Sequence, residues 1–461
     1  MIETKQGLLE SLLEQAIEKA KYSSKNQFVS MTKEIDNIEP LHFFEAAKDL
    51  KLDRTFWTST SDQFYLVGIG SAFHIKGRND RFQATEEQWR KITEDAIVHN
   101  PSHAPGTGMV AMGGMSFDPM KEKNNLWRNF EDSEFIIPQF ILTKNKSDHF
   151  LTINLYVTKD DHSVQLAEEL QRSESLLLNY SGNLPEGATI KERKEFAPEQ
   201  WKNIVRLATE EIKQNEAEKI VLAREMRLKL SKKAEITAIL SNFITSQTNC
   251  YIFAFEHGND CFVGATPERL VKLENKQLLS TCLAGTAPRG KTKSEDVKIS
   301  QALLHDSKNR EEHDFVVKMI KEAIKNYCTD IQIPNEPIIY PLKNLQHLFT
   351  PVKATLQNGY SIFDIIKQLH PTPALGGVPK ETSLAFIREH EQMDRGWYGA
   401  PIGWLDRNQN GEFAVAIRSG LIQGDEASLF AGCGVVKDSD PEAEYEETTI
   451  KFLPMLTVLG G

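Results

Sequence analysis

Lys219 stands in "EKIVLAREM" (218–226), a stretch that otherwise reads as a buried strand. Side chains alternate along a strand, so Lys219 shares one face with Val221 and Ala223, while Ile220, Leu222 and Arg224 take the other. Burying an ammonium is costly unless it is paired or loses its proton. The lysine therefore either marks the exposed start of the strand or serves a site. Glu268, in "FVGATPERLVKL" (262–273), follows a strand just past Thr266-Pro267. Helix capping accounts for it, with Thr at the N-cap, Pro in the first turn and Glu near the positive helix end. So does a carboxyl group at the rim of a sheet, available for proton transfer.

Two further acidic positions have the chemistry of a hard-cation site. In "KNREEHDFVVKMIKEAI" (308–324) helical spacing places Phe315, Val316, Met319, Ile320 and Ala323 on one face, with Glu312 in its middle and Glu311 at its edge. A buried carboxylate needs a cation, a protein partner or a position beyond the core. In "AGCGVVKDSDPEAEYEETTIKFL" (431–453) Glu444 and Glu447 lie three apart on a helix starting near Pro441. Acidic residues there also suit the helix dipole alone. Joined to Glu312, Glu447 would offer the oxygen ligands that magnesium prefers.

Anion-binding groups complete the set. Gly285 and Thr286, in "STCLAGTAPRGKTKSED" (280–296), offer backbone N–H groups and a hydroxyl suited to a carboxylate. Arg289, Lys291 and Lys293 read as a solvated loop or a mobile lid. The Gly432-Cys433-Gly434 stretch can present N–H groups to an anion. "WYGAPIGWL" (397–405) and "FAVAIRSGLI" (413–422) read as adjacent strands that place Tyr398 and Arg418 among apolar neighbours. Arg418 is a bidentate partner for a ligand carboxylate or half of a structural ion pair. His347, in "NLQHLFT", is a satisfied core histidine or a donor to substrate.

The elements that must hold these residues alternate between helix and strand signals. Leu8, Leu9, Leu12, Leu13, Ala16, Ile17 and Ala20 follow helical spacing. Residues 64–75, 105–117 and 150–158 read as strands, and the glycines of "GIGSAF" as structural, since a dinucleotide fingerprint needs a third. "NLPEGATIKERKEFAPEQ" (183–200) reads as a linker, dividing an N-terminal α+β region (1–190) from a catalytic part (191–461). "PEQWKNIVRLATEEIKQ" then forms an amphipathic helix. The irregular mixture indicates an α+β fold rather than a parallel βαβ series.

Bulk properties bound the function. The 461 residues exceed a single ordinary core. With 54 basic and 65 acidic side chains the net charge is −11, which argues against nucleic acid. An acidic protein that takes an acidic metabolite needs local positive charge from a metal ion or an arginine. Five scattered cysteines without a C-x-x-C pair suit a reducing cytoplasm, and no apolar run is long enough for a membrane span. Residues and patterns alone reach a cytosolic enzyme acting on a small anion.

In chain order, "KIVLAR", "GATPERL", "CLAGTAPRG", "KNREEHDFVV", "HPTPALGGVPK" (370–380), "WYGAPIGW", "AIRSG" and "AGCGVVKDSDPEAEYEET" resemble the motifs of the chorismate-utilising enzymes, the anthranilate, aminodeoxychorismate, salicylate and isochorismate synthases. The resemblance covers about residues 195–461. The N-terminal part is similar, more loosely, to the long isochorismate synthases of menaquinone synthesis. The resemblance implies large antiparallel sheets flanked by helices, with chorismate and Mg²⁺ in a deep central cleft of a cytoplasmic monomer. It implies Glu312 and Glu447 as magnesium ligands and Glu444 as the holder of a metal-bound water. Gly285 and Thr286 would contact the ring carboxylate, and Arg418, Tyr398, Gly434 and the adjoining Gly432 the enolpyruvyl carboxylate, with His347 nearby.

The branch within the family follows from Lys219. Isochorismate formation adds water at C2 of chorismate and expels the C4 hydroxyl, which requires a base on one face and an acid on the other. The isochorismate and salicylate branches carry a lysine at the Lys219 position, and it looks like the base, with Glu268 as the acid. The anthranilate branch generally lacks that lysine. The aminodeoxychorismate branch has a nucleophilic lysine before its Gly-Thr, where this chain has Ala284. A salicylate synthase, which goes on to eliminate pyruvate, fits Lys219 and Glu268 equally. To act as base, Lys219 must be desolvated; to act as acid, Glu268 must hold a proton near neutrality.

Overall fold

The structure, a computed structural model, describes residues 5–78, 80–342 and 345–461. Two large sheets stack face to face. One has 13 strands and the other 10, and nearly all neighbours run antiparallel; Gln27–Glu34 beside Ile97–His99 is a parallel pair. Aromatic side chains fill the space between the sheets, among them Trp57, Trp127, Phe130, Phe253, Phe262, Trp397, Trp404 and Phe430. Helices cover both outer faces. Lys5–Ser23, Pro40–Leu50, Ile236–Ser246 and Pro441–Val458 bury an apolar stripe on the first sheet; Arg81–Glu94, Ser307–Ile324 and Ile362–Leu369 do so on the second. This is the α+β architecture of flanked antiparallel sheets that the sequence implies.

Both sheets draw strands from both sides of residue 190. Arg54–Ser59 pairs with Tyr251–His257 in the first sheet, and Val110–Met115 with Pro401–Asp406 in the second. The 183–200 stretch expected as a linker is in part a strand: Ile190–Glu195 forms the edge of the first sheet against Met226–Leu230. Its charged side chains are mostly exposed, as suits a sheet edge. No helix among the described residues is long and apolar enough to cross a membrane.

The chain crosses from one sheet to the other at two neighbouring corners. Asp260–Thr266 belongs to the first sheet and Arg269–Glu274 to the second, so Pro267 and Glu268 form a corner. Proline cannot donate to a ladder, which suits a strand end. Glu268 therefore caps no helix. The stretch 413–422, expected as one strand, is likewise two: Gly411–Val415 in the second sheet and Ser419–Gln423 in the first. Arg418 makes that turn in the left-handed region at φ 50°, a strained conformation for a residue with a side chain. The corners brace each other: Val415 N donates to Glu268 O at 2.9 Å and Ala265 N to Arg418 O at 3.1 Å.

Candidate functional site

Lys219 begins the Lys219–Leu230 strand, which pairs with Glu426–Val435 so that Val221 faces Gly434 and Ala223 faces Gly432. The glycines leave the floor open. A Cβ built at Gly434 would sit 2.4 Å from Lys219 Cε, so the lysine side chain lies directly across that glycine. At Gly432 a Cβ would come within 3.2 Å of the Tyr398 hydroxyl. Lys219's strand-face neighbours Val221 and Ala223 are buried, as alternation requires. Its amine, however, has a carboxylate partner rather than an apolar pocket: Nζ donates to Glu312 Oε1 at 2.9 Å.

Glu268 lies at its corner within the electrostatic reach of Lys219, Arg418 and Lys451. Burial pushes its carboxyl up from 4.5 to about 7, against a weak contact from the Thr372 hydroxyl at 3.5 Å and the fields of Lys219, Arg418 and Lys451. Those cations surround Glu268 without forming an ion pair, and desolvation wins. A carboxylic acid protonated near neutrality is the state a general acid needs. A cavity of about 80 Å³ adjoins it, lined by Leu283, Val316, Pro371, Thr372 and Lys380.

Three polar groups in this region have no protein partner among the described residues. No carboxylate pairs with the Arg418 guanidinium, and burial lowers its proton affinity. The Tyr398 hydroxyl accepts and donates nothing, and burial pushes its pKa well up. His347 Nε2 is buried and unpaired. The histidine sits on Leu345–Leu356 opposite Thr286, its Nδ1 3.0 Å from Thr286 Oγ1. Burial and the charge of Arg418 lower its pKa to about 4, so it is neutral at ordinary pH. Buried polar groups are normally satisfied; orphans facing one cleft mark the place of a polar ligand.

The Gly285-Thr286 turn is a bulge. Register shifts between Ala284 and Thr286, Gly285 takes φ 76°, and Thr286 N donates to Asn309 Oδ1 at 3.3 Å. A side chain at Gly285 would be strained there. The basic loop beyond it is pinned: Arg289 pairs with Asp296 at 2.7 Å, and the Thr292 side chain caps Lys293–His305.

The acidic residues occupy two helices. Glu312 is exposed on Ser307–Ile324, contrary to its expected place mid-face. The buried side of that helix is His313, Ile320 and Ile324, because His313 finds polar partners in Ala284 O and Thr350 Oγ1. On Pro441–Val458, Glu444 accepts from Ser439 Oγ at 2.7 Å and Glu447 pairs with Lys451 at 2.7 Å. The donors are all carboxylate oxygens, a set that fits a hard divalent cation. Two of them are matched by lysines, and among the described residues no three acidic, histidine or cysteine side chains already stand as a metal cluster.

Sequence reasoning missed Lys451. Its Nζ donates to Gly432 O at 2.8 Å and its charge reaches both Glu268 and His347. The available signal was its place one helical turn after Glu447. A larger cavity, about 540 Å³, opens at the opposite end of the Asp260–Thr266 strand. Of its cations, Lys48 pairs with Glu235 and Arg54 with Glu256.

A family model described as chorismate binding enzyme matches residues 15–460, and the chain belongs to that family. It is 39% identical to the isochorismate synthase MenF of Bacillus subtilis, covering 100% of this chain and 99% of that one. It is 34% identical to a salicylate biosynthesis isochorismate synthase of Pseudomonas aeruginosa, over 98% of this chain and 95% of the relative. In fold it matches the menaquinone-specific isochorismate synthase MenF of Escherichia coli with a TM-score of 0.80 at 23% identity, covering 97% and 100% of the two chains. Anthranilate synthase component I of Streptococcus pneumoniae shares the fold with a TM-score of 0.71 at 21% identity, over 86% of this chain and 92% of that one.

Proposed function

We propose that this chain is an isochorismate synthase that interconverts chorismate and isochorismate and serves menaquinone synthesis. The observation that carries the reading is a Glu268 carboxyl that burial holds protonated near neutrality within reach of the Lys219 charge, beside three polar groups without a protein partner among the described residues. Lys219 takes a proton from the water that adds at C2, and Glu268 gives its proton to the departing C4 hydroxyl. The reverse reaction exchanges the roles. Arg418 and the Tyr398 hydroxyl hold the enolpyruvyl carboxylate, with the Gly432 and Gly434 backbone close by. Gly285 and Thr286 hold the ring carboxylate, and neutral His347 offers Nε2 to the same substrate.

Mg²⁺ is the proposed cofactor, held by Glu312, Glu447 and, through water, Glu444. When bound it would neutralise the ring carboxylate and compete with Lys219 for Glu312. The lysine must exchange that carboxylate for a water before it can act as base, since its Nζ is engaged with Glu312. All these residues come from one chain, which supports activity as a monomer. The five cysteines are unpaired and buried, which supports a reducing cytoplasmic setting.

The test is proton NMR of chorismate incubated with the purified protein, with Mg²⁺ and with EDTA. Isochorismate resonances that depend on the metal and arise without pyruvate are the expected result. Salicylate with pyruvate would assign the salicylate reaction instead. Unchanged chorismate in a protein that binds it would overturn the enzymatic reading.

A further inference from the structure

The Lys219–Leu230 strand has a gap along one edge. Lys219 and Ile220 pair with Val378 and Gly377, and Met226–Leu230 pair with Ile190–Glu195. Between them no strand among the described residues covers the edge, and the groups of Val221, Ala223 and Glu225 that point there need other partners. Side chains supply three of them, and backbone groups of Gly376 and Phe196 two more. Arg395 donates to Val221 O at 2.8 Å, Ala223 N donates to Glu391 Oε2 at 2.9 Å, and Trp201 Nε1 donates to Ala223 O at 3.0 Å.

Glu391 and Arg395 are joined by two bonds of 2.7 and 2.6 Å, and each is only 3% exposed. The remaining guanidinium nitrogen donates to Leu375 O at 2.9 Å. Leu375 belongs to the 370–380 loop, whose Thr372 touches Glu268 and whose Gly376 O accepts from Val221 N at 3.4 Å. One planar fork thus fixes the strand that carries Lys219 and the loop that abuts Glu268. Lysine, a single point donor, cannot reproduce that. Buried ion pairs seldom add net stability over apolar replacements, so this one invites a use beyond packing.

We infer that Glu391 and Arg395 are positioning residues, a buried bracket that sets the distance between Lys219 and Glu268 without touching substrate. The inference rests on the isochorismate synthase reading. Misplacing a reacting group by about 1 Å costs on the order of 100-fold in rate, while the Arg395 O that accepts from Tyr398 N at 2.9 Å is a main-chain atom that neither substitution removes. The bracket therefore acts on kcat and leaves KM nearly alone.

The experiment compares wild type, Glu391→Gln and Arg395→Lys in full-length protein with Mg²⁺, measuring kcat, KM and thermal unfolding. Wild type must first convert chorismate; if it does not, the functional reading fails and not the bracket. The expected result is a kcat lowered roughly 30- to 100-fold in at least one variant that still unfolds cooperatively, with KM within about threefold. Wild-type kcat in both folded variants, or a change in KM alone, overturns the inference. So does loss of the fold in both variants, which would make the pair purely structural.

Discussion

Replacing Gly434 by alanine adds one methyl group, and the structure says what that methyl meets. Its carbon would stand 2.4 Å from Lys219 Cε, 3.2 Å from Nζ and 3.7 Å from Cδ. Non-bonded carbons settle at about 3.5–4.0 Å, so the lysine end must move by about 1 Å or more. The moving part is a flexible side chain, and Gly434 is not among the glycines with positive φ, so the backbone accepts alanine and the fold survives. The strand's N–H groups stay where they are. A displacement of about 1 Å at the base costs roughly 100-fold in kcat, which is about 2.7 kcal/mol of barrier. The assay is the NMR or coupled rate of isochorismate formation alongside a thermal melt. A Gly434→Ala protein that melts like wild type but turns over at least 30-fold more slowly is expected. Turnover within about threefold of wild type would refute the placement of Lys219 as base. A collapsed melting temperature would refute the claim that only the lysine yields.

Lys219→Ala and Glu268→Gln should each abolish measurable turnover in folded protein; activity retained by either would remove that residue from the proton transfers. Glu268→Gln should also stabilise the protein at neutral pH. Burial raises the folded carboxyl from 4.5 to about 7, so its stabilising contribution is complete below 4.5 and is lost as pH rises through about 7, a loss of at most about 3 kcal/mol. Denaturant melts at pH 4, 6 and 8 should show the wild type weakening relative to Glu268→Gln; parallel curves would contradict the raised pKa. Arg418→Met should raise KM by roughly 10- to 100-fold, the worth of a charge-assisted carboxylate bond, while the melting temperature holds or rises because a half-buried cation without a carboxylate partner is removed. Glu447→Gln should weaken Mg²⁺ binding measured by calorimetry, and unchanged metal affinity would exclude it as a ligand.

Much of this site was legible because strands announce their faces. The alternation in 218–226 placed Lys219 beside Val221 and Ala223 correctly. The amphipathic stretch just before it, 198–214, is the helix Pro198–Lys213. The corners were illegible for a physical reason. Thr266-Pro267-Glu268 satisfies the rules for starting a helix as well as it ends a strand, and only pairing with distant strands decides between them. Arg418 breaks 413–422 in two, and the glycine of that stretch does not mark the break, since Gly420 lies inside the second strand while Arg418 itself takes the left-handed turn. The wheel of residues 308–324 was rotated because His313, buried through its hydrogen bonds, carries no apolar signal. Glu391 and Arg395 look like any i,i+4 surface pair, although both are buried.

The interleaving of the sheets has a consequence for how the molecule is made. Lys219's strand finds its inner neighbour in Glu426–Val435, and Arg54–Ser59 waits for Tyr251–His257. During synthesis these edges emerge long before their partners, a slow, non-local topology in which unpaired strands are open to misassociation. The surroundings of Lys219, whose floor includes Gly432 and Gly434, cannot form until residues 426–435 have been made. A chain stopped short of that final hairpin would carry the lysine and the glutamate yet have no floor beneath them, so catalysis reports on a finished molecule.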